Sequence, residues 1–188
     1  LFFIFPLFQT IGYSFTDYNG INPRKEFTGL TNYVDVFQDK WFYNSMLFTG
    51  KSVILMILLA NVLGFLLALA LNTKIKSRNI LRAIVFCPFV FNNVTVGFIW
   101  QFLLGRFMTD LYPLTGWKVF NIGWLSDSSL VLYSVVFVKL WQSIGYFMVI
   151  YLAGLQLLPQ DPLEAAVLDG CTGIKMIRYI TIPLMKPT

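Results

Sequence analysis

The sequence contains no histidine and few charged residues. Its 188 residues are 57% hydrophobic and 12% charged, whereas about 25% of the residues of a soluble domain are charged. The absence of histidine removes the commonest metal ligand and the commonest acid–base group. We therefore expect no catalytic residue and no metal site in this chain.

Cysteine is scarce too, and a complete phosphate-binding loop is missing. We interpret the two cysteines, Cys87 and Cys171, as unpaired thiols. A Gly-Lys-Ser run at 50–52 is similar to the end of a phosphate-binding loop. That motif requires a glycine five residues earlier, where Ser45 stands, and a preceding strand. The chain therefore shows no nucleotide site of its own.

Long apolar runs dominate what the sequence does contain. A helix needs about 20 mostly apolar residues to cross a bilayer, and the strands of a membrane barrel would alternate instead. We predict an all-α, polytopic transmembrane helical bundle in a lipid bilayer. Four spans are expected, of which the first is truncated: approximately 1–15, 53–71, 83–104 and 130–155.

The distribution of basic residues predicts the orientation of these spans. The net charge of +5 does not indicate nucleic acid, because the basic residues lie in short stretches between apolar runs. The densest stretch, 72–82, holds Lys74, Lys76, Arg78 and Arg82. Such a short basic loop stays in the cytoplasm. We therefore place 156–188 inside as well, and the loops 16–52 and 105–129 outside.

A polar face crosses the last predicted span. Lys139, Gln142, Ser143 and Tyr146 follow i, i+3, i+4, i+7 spacing and share one side of a helix. A lysine at that depth costs about 2.5–3.5 kcal/mol on insertion scales. The favoured interpretation is a face that lines a translocation pathway or ligand site. The alternatives are a buried pair with a neighbouring helix and a lysine that reaches outward to the interface.

Amide side chains also interrupt the span 83–104. Asn92 and Asn93, followed by Thr95, are expected to form hydrogen bonds between helices, each contributing about 1 kcal/mol. A place in the pathway is the second interpretation for the two asparagines.

The inner segment 159–183 predicts two short helices. Asp161 can cap a helix in which Pro162 takes the first position and Glu164 the third. Gly170 fits as its terminator, and a second helix is expected from Thr172. Proline at 183 and 187 should end that pattern. An amphipathic helix resting on the membrane surface is the alternative interpretation.

The same segment resembles the EAA loop of bacterial ABC importer permeases. The order Glu164-Ala165-Ala166, three residues, Gly170, nine residues, then Ile180-x-Ile182-Pro183 matches every spacing of that loop. Ile182 stands where leucine is usual. Other segments, such as Ser14–Tyr18, Gly29–Tyr33 and Tyr151–Gln156, are similar to the maltose-type sugar permease family.

The resemblance implies a MetI-like permease fold and a role in carbohydrate import across the bacterial cytoplasmic membrane. Because that family commonly has six core spans, we expect this chain to be a fragment with about four. The residues implied in coupling to an ATPase are Glu164, Ala165, Ala166, Asp169, Gly170, Ile180 and Pro183. The implied partners are ABC ATPase subunits, which bind ATP and Mg, a second permease in a heterodimer, and an extracytoplasmic solute-binding protein. No cofactor is expected in this chain.

Two other functions remain open from the residues alone. A secondary transporter would use Lys139 as a coupling charge, and a membrane scaffold would transport nothing. Neither of them needs a docking loop for an ATPase, so the inner segment favours the importer.

Overall fold

The computed structural model describes most of the chain, namely residues 2–21, 25–73 and 75–185. Two residues from the patterns above lie outside these ranges: Lys74 and Pro187. The chain divides into two compact units, Leu1–Lys51 and Ser52–Thr188, and each is described by itself.

Most of the described residues fold into helices. The α-helices are α1 (Ile4–Tyr13), α2 (Thr31–Gln38), α3 (Lys40–Leu71), α4 (Arg78–Val90), α5 (Asn93–Gln101), α6 (Met108–Thr115), α7 (Val131–Gln156), α8 (Gln160–Leu168), α9 (Ile174–Met176) and α10 (Ile182–Met185). Shorter turns are π-helical at Phe102–Phe107 and Ile177–Thr181, and 3₁₀-helical at Lys118–Asn121. The predicted all-α class is confirmed, since the chain is 76% helical and its described part shows only an isolated bridge, Thr16–Phe27.

In the first unit, hydrogen bonds tie the residues after α1 to the start of α2. The Asn32 side-chain nitrogen donates to the carbonyl oxygens of Ser14 and Thr16, at 3.0 and 2.8 Å. The hydroxyls of Ser14 and Tyr33 lie 2.6 Å apart. Because one amide satisfies two carbonyls, this loop has a fixed local shape.

Within the described ranges, two helices are long and apolar enough to cross a membrane unaided. They are α3, with 32 residues, and α7, with 26. A helix of 32 residues is about 48 Å long, which exceeds the roughly 30 Å of bilayer hydrocarbon. These two helices contain the predicted spans 53–71 and 130–155 almost completely, although the membrane crossing of all four segments stays a prediction.

The segment expected as one span at 83–104 is not a straight helix. Helix α4 ends at Val90, α5 begins at Asn93, and the chain bends by 94° between them. Phe91 and Asn92 are extended, and the Asn92 side chain accepts a hydrogen bond from the Val94 amide at 2.8 Å. An asparagine that caps a new helix in this way competes with continuation of the old one.

The apolar core of the second unit lies where the C-terminal parts of α3 and α7 meet. Its buried residues are Ala68, Leu71, Met148, Leu152, Leu155 and Leu158. Leu163 of α8 and Leu184 of α10 pack against this core. Arg82, predicted only as a topology charge, donates from Nη2 to the Leu71 carbonyl at 2.6 Å and thereby caps α3. The core therefore holds the inner segment against the ends of two long helices.

Candidate functional site

The polar face of α7 lies against the break between α4 and α5. Lys139 Nζ donates to Asn93 Oδ1 at 3.2 Å, and Gln142 Nε2 donates to the Phe91 carbonyl at 3.1 Å. Gln142 is only 7% exposed. The predicted grouping of these side chains on one face is thus observed, and it brings α7 together with the asparagines of the other segment.

The broken helix explains why α7 carries an amide at this point. The Phe91 carbonyl lies at the break, and an unpaired carbonyl inside a membrane costs several kcal/mol. Gln142 supplies the missing donor, while Asn92 accepts from the first turn of α5. Both side chains therefore have a structural role in addition to any role in transport.

Gly145 controls how closely α7 approaches α4, although it belongs to none of the motifs identified in the sequence. A Cβ atom on Gly145 would lie 2.6 Å from the Phe86 Cα. Carbon atoms in contact lie about 3.5–4.0 Å apart, so only glycine permits this approach. A small residue among large ones in a span is the signal that could have revealed it.

The break and the polar face together enclose a cleft of about 400 Å³. Its lining consists of three apolar residues and five polar ones: Met56, Phe89, Phe91, Asn92, Asn93, Lys139, Gln142 and Ser143. Tyr146 lies beyond the lining and stacks on Phe89, with ring centroids 4.9 Å apart. Five of the six pathway candidates thus share one cleft, and the sixth supports its aromatic wall.

Another polar contact joins α3 to α7 away from the cleft. The Tyr151 hydroxyl donates to Asn61 Oδ1 at 2.5 Å, and Asn61 Nδ2 donates to the Ile57 carbonyl. Asn61 is the only polar side chain of the predicted span 53–71, and its partner could not be predicted from the residue pattern.

The predicted cap of the first inner helix is wrong. Helix α8 begins at Gln160 after an extended Pro159, and no side chain within the described part of the chain caps its start. Asp161 lies inside the first turn, where its carboxylate faces the positive end of the helix dipole. Pro162 is tolerated there because the first four helical N–H groups need no intrahelical acceptor. Glu164 lies in α8 and is exposed.

The predicted terminator of α8 is confirmed. Gly170 has φ +73°, the left-handed conformation that glycine adopts without strain. The Gly170 amide donates to the Val167 carbonyl and the Cys171 amide to the Ala166 carbonyl, at 3.0 and 2.8 Å. This pair of bonds is a Schellman motif. Ala166 is buried, whereas Ala165 and Asp169 are exposed.

The second inner helix differs from the expectation at both ends. It begins at Ile174, not Thr172, after Gly173 with φ +59°. Pro183 does not end it but lies within α10, directly after the π-helical turn Ile177–Thr181 that includes Ile180. A π-helical turn holds one residue more than an α-helical turn, so the backbone carbonyl that would otherwise clash with the Pro183 ring is displaced. The helix can therefore continue through Pro183.

Large apolar side chains are exposed along the inner segment. Leu168 is 89% exposed and Ile174 82% exposed, on either side of the Gly170 turn. Exposed apolar side chains grouped on a water-facing segment are typical of contact surfaces. Within the described ranges, no group of three or more potential ligands could hold a metal ion, and both cysteines are free.

These features define a helical membrane protein with a polar cleft at a broken helix and an exposed inner loop. The chain belongs to the family of binding-protein-dependent transport system inner membrane components, whose model matches residues 60–188. The predicted family is therefore confirmed.

The relatives of this chain are transport permeases. A probable starch degradation products transport system permease protein of Thermoanaerobacterium thermosulfurigenes is 37% identical over 186 residues, which cover 98% of this chain and 62% of that protein. A multiple sugar-binding transport system permease protein of Streptococcus mutans is 31% identical, over 100% of this chain and 65% of that protein. The chain thus spans less than two thirds of the length of these two relatives.

The fold is also found in solved structures. A bacterial alginate ABC transporter in complex with an alginate pentasaccharide-bound periplasmic protein matches with a TM-score of 0.79 at 21% identity. The match covers 98% of this chain and 62% of that chain. The predicted permease fold is confirmed by this likeness.

Proposed function

We propose that this chain is the membrane-spanning permease subunit of an ATP-driven importer for carbohydrate. Its membership of the binding-protein-dependent family carries this proposal. The names of the relatives, which refer to starch degradation products, multiple sugars and trehalose/maltose, support a sugar as the solute. Neither a secondary transporter nor a scaffold needs a docking loop for an ATPase, so the resemblance of residues 159–183 to such a loop disfavours both alternatives.

The inner segment docks on a separate ATPase subunit in this proposal. The exposed side chains of Leu168 and Ile174 flank a turn whose shape is fixed by Gly170. Exposed apolar groups on a rigid turn suit insertion into a cleft of a partner, because little conformational entropy is lost on docking. Glu164 adds a charge at the exposed side of α8.

The chemistry of ATP hydrolysis belongs to the partner. The Gly-Lys-Ser run at 50–52 lies in the middle of α3, where its amides are engaged in the helix and cannot cradle a phosphate. ATP and Mg are therefore bound by the ATPase subunits, and this chain is a non-catalytic subunit. The resemblance of the sequence to maltose-type permeases supports a second, different permease subunit and an extracytoplasmic solute-binding protein as further partners.

The cleft at the helix break is the part of the solute pathway that this chain contributes. Its polar lining combines a cation, three amides and a hydroxyl with the aromatic ring of Phe89. Hydroxyl-rich solutes form hydrogen bonds with amides and stack on aromatic rings. The six pathway residues are Lys139, Gln142, Ser143, Tyr146, Asn92 and Asn93.

The orientation predicted from the basic loop agrees with the packing of the second unit. Leu71, at the end of α3, shares one core with Leu155 and Leu158, at the end of α7. Residues 72–82 and 156–188 therefore follow helix ends that lie together, which supports placing both on the cytoplasmic side.

Copurification tests this proposal. The full-length protein should be expressed with the ATPase, second permease and binding protein encoded near it, and captured through a tag on this chain. We expect a stable complex with the ATPase and an ATPase rate that rises when the solute-loaded binding protein is added. A chain that purifies without any ATPase, in a preparation where the ATPase is expressed and folded, would contradict it.

A further inference from the structure

The side chain of Lys139 is exposed in this chain and reaches the break between α4 and α5. Lys139 lies eight residues into α7, about 12 Å from the first residue of that helix. Its Nζ donates to Asn93 Oδ1 at 3.2 Å, so the ammonium group lies among the polar residues of the cleft. The interpretation of Lys139 as a residue that reaches outward to the interface does not fit this placement.

The chain provides no negative charge to balance Lys139. In the described part of the chain the one salt bridge joins Arg106 to Asp110, and it lies on an exposed surface. The sequence contains neither aspartate nor glutamate from residue 40 to 109 or from 128 to 160. These ranges hold all the residues that line the cleft. Ionisable groups inside a membrane are usually paired with one another or with backbone carbonyls, and residues 1–188 offer Lys139 no carboxylate near the cleft.

The remaining groups of the cleft favour an anion that is rich in oxygen. Of the three protons on Lys139 Nζ, Asn93 accepts one. The N-terminus of α5, whose cap is Asn92, adds the positive end of a helix dipole. Gln142 and Ser143 complete a lining in which no side chain carries a negative charge.

We propose that this cleft selects a solute that carries an anionic oxygen group, and that Lys139 Nζ is the ion-pairing partner of that group. The solute class is therefore an acidic carbohydrate, either a uronic acid or a sugar phosphate. A lysine binds both groups as a point charge and needs no bidentate geometry. This inference rests on the proposed function, and it assigns Lys139 as a specificity-determining residue of the pathway.

The test uses the complete transporter in proteoliposomes with internal ATP and its own binding protein outside. Uptake is measured for two matched pairs of labelled disaccharides: galactobiose with digalacturonate, and maltose with maltose 6′-phosphate. The first pair reports on a carboxylate and the second on a phosphate. Each is measured for the parental protein and for Lys139→Gln and Lys139→Arg, with Lys118→Gln, a lysine of the loop 105–129, as the matched control.

We expect uptake of the acidic member of at least one pair in preference to its neutral counterpart. Lys139→Gln should raise KM for that solute about 10- to 100-fold, the loss associated with one charged hydrogen bond. Lys139→Arg should restore most of the uptake, and Lys118→Gln should leave it at the parental level.

Three results would overturn the inference in distinguishable ways. Uptake of the acidic solutes at the parental level in Lys139→Gln, or uptake of the neutral sugars alone by the parental protein, would refute anion selection and leave the importer function intact. A Lys139→Gln complex that loses its second permease subunit would show that a carboxylate of that subunit balances the lysine instead. The proposed function itself would be refuted by a protein that binds no ATPase and whose preparation shows neither uptake of the four sugars nor ATP hydrolysis stimulated by them.

Discussion

Replacing Gly145 by alanine should destabilise the protein, because the added Cβ would clash with the backbone of Val85 and Phe86 in α4. The added Cβ would lie 2.6 Å from the Phe86 Cα, about 1 Å closer than carbon atoms normally approach. Helix α4 must therefore move away from α7. Overpacking of this kind costs about 1–3 kcal/mol.

The same displacement stretches the hydrogen bond from Gln142 to the Phe91 carbonyl, now 3.1 Å long. Loss of that bond costs a further 0.5–1.5 kcal/mol or so. Alanine is better than glycine inside a helix by about 0.5–1 kcal/mol, which offsets part of the cost. The net expectation is a loss of about 1–3 kcal/mol.

The matched control is Gly97→Ala in α5. Gly97 is also helical, but no atom lies within 4 Å of the Cβ it would gain. Thermal unfolding of the purified protein, followed by the loss of its monodisperse peak in size-exclusion chromatography, should show a lower midpoint for Gly145→Ala only. Equal midpoints for Gly145→Ala and the parental protein would refute the close approach of the two helices.

Three further predictions concern the helix break, the core helices and the orientation. Asn92→Ala should cost about 1 kcal/mol because it removes the cap of α5, while Asn92→Ser should retain most of the stability in the same unfolding assay. Tyr151→Phe should lower the free energy of unfolding by about 0.6 kcal/mol, the average for a hydrogen bond between helices in a membrane. A loss several times larger would mean that the aromatic ring moves as well. A cysteine that replaces Ser126 should react with an impermeant thiol reagent in intact cells, and one that replaces Ser77 should not. Both are measured in a protein that lacks the native cysteines. Equal reaction at the two positions would contradict the predicted orientation.

The long helices and the glycine turn could be predicted because each has a strong local cause. An apolar run of sufficient length forms a membrane helix in almost any context. Gly170 stands directly after the helical pattern of α8 ends, and glycine at that position commonly adopts the left-handed conformation observed here. The polar face of α7 followed directly from helical spacing.

The helix break could not be predicted with the same certainty. Asn92 and Asn93 fit equally well inside a continuous helix with partners across the bundle, and the choice depends on whether Gln142 can reach the freed carbonyl. The cap at Asp161 failed for a related reason. Pro159 already provides the extended residue before α8, so the helix begins earlier than the side-chain pattern suggests.

In the proposed importer the inner segment docks on the ATPase subunit, and the turn at Gly170 keeps that docking surface in shape. Gly170→Val places a branched side chain in a left-handed conformation, at a cost of about 1–2 kcal/mol, and misdirects the segment that follows. Gly116→Val is the matched control, because Gly116 has φ +68° and open space around it but lies in the loop 105–129.

The decisive measurement is solute-stimulated ATPase activity and uptake of these two variants in the assembled transporter, together with Glu164→Ala. We expect Gly170→Val to lose both stimulated ATPase activity and uptake, Glu164→Ala to lose part of each, and Gly116→Val to retain both. Parental ATPase stimulation and uptake in Gly170→Val would contradict this expectation.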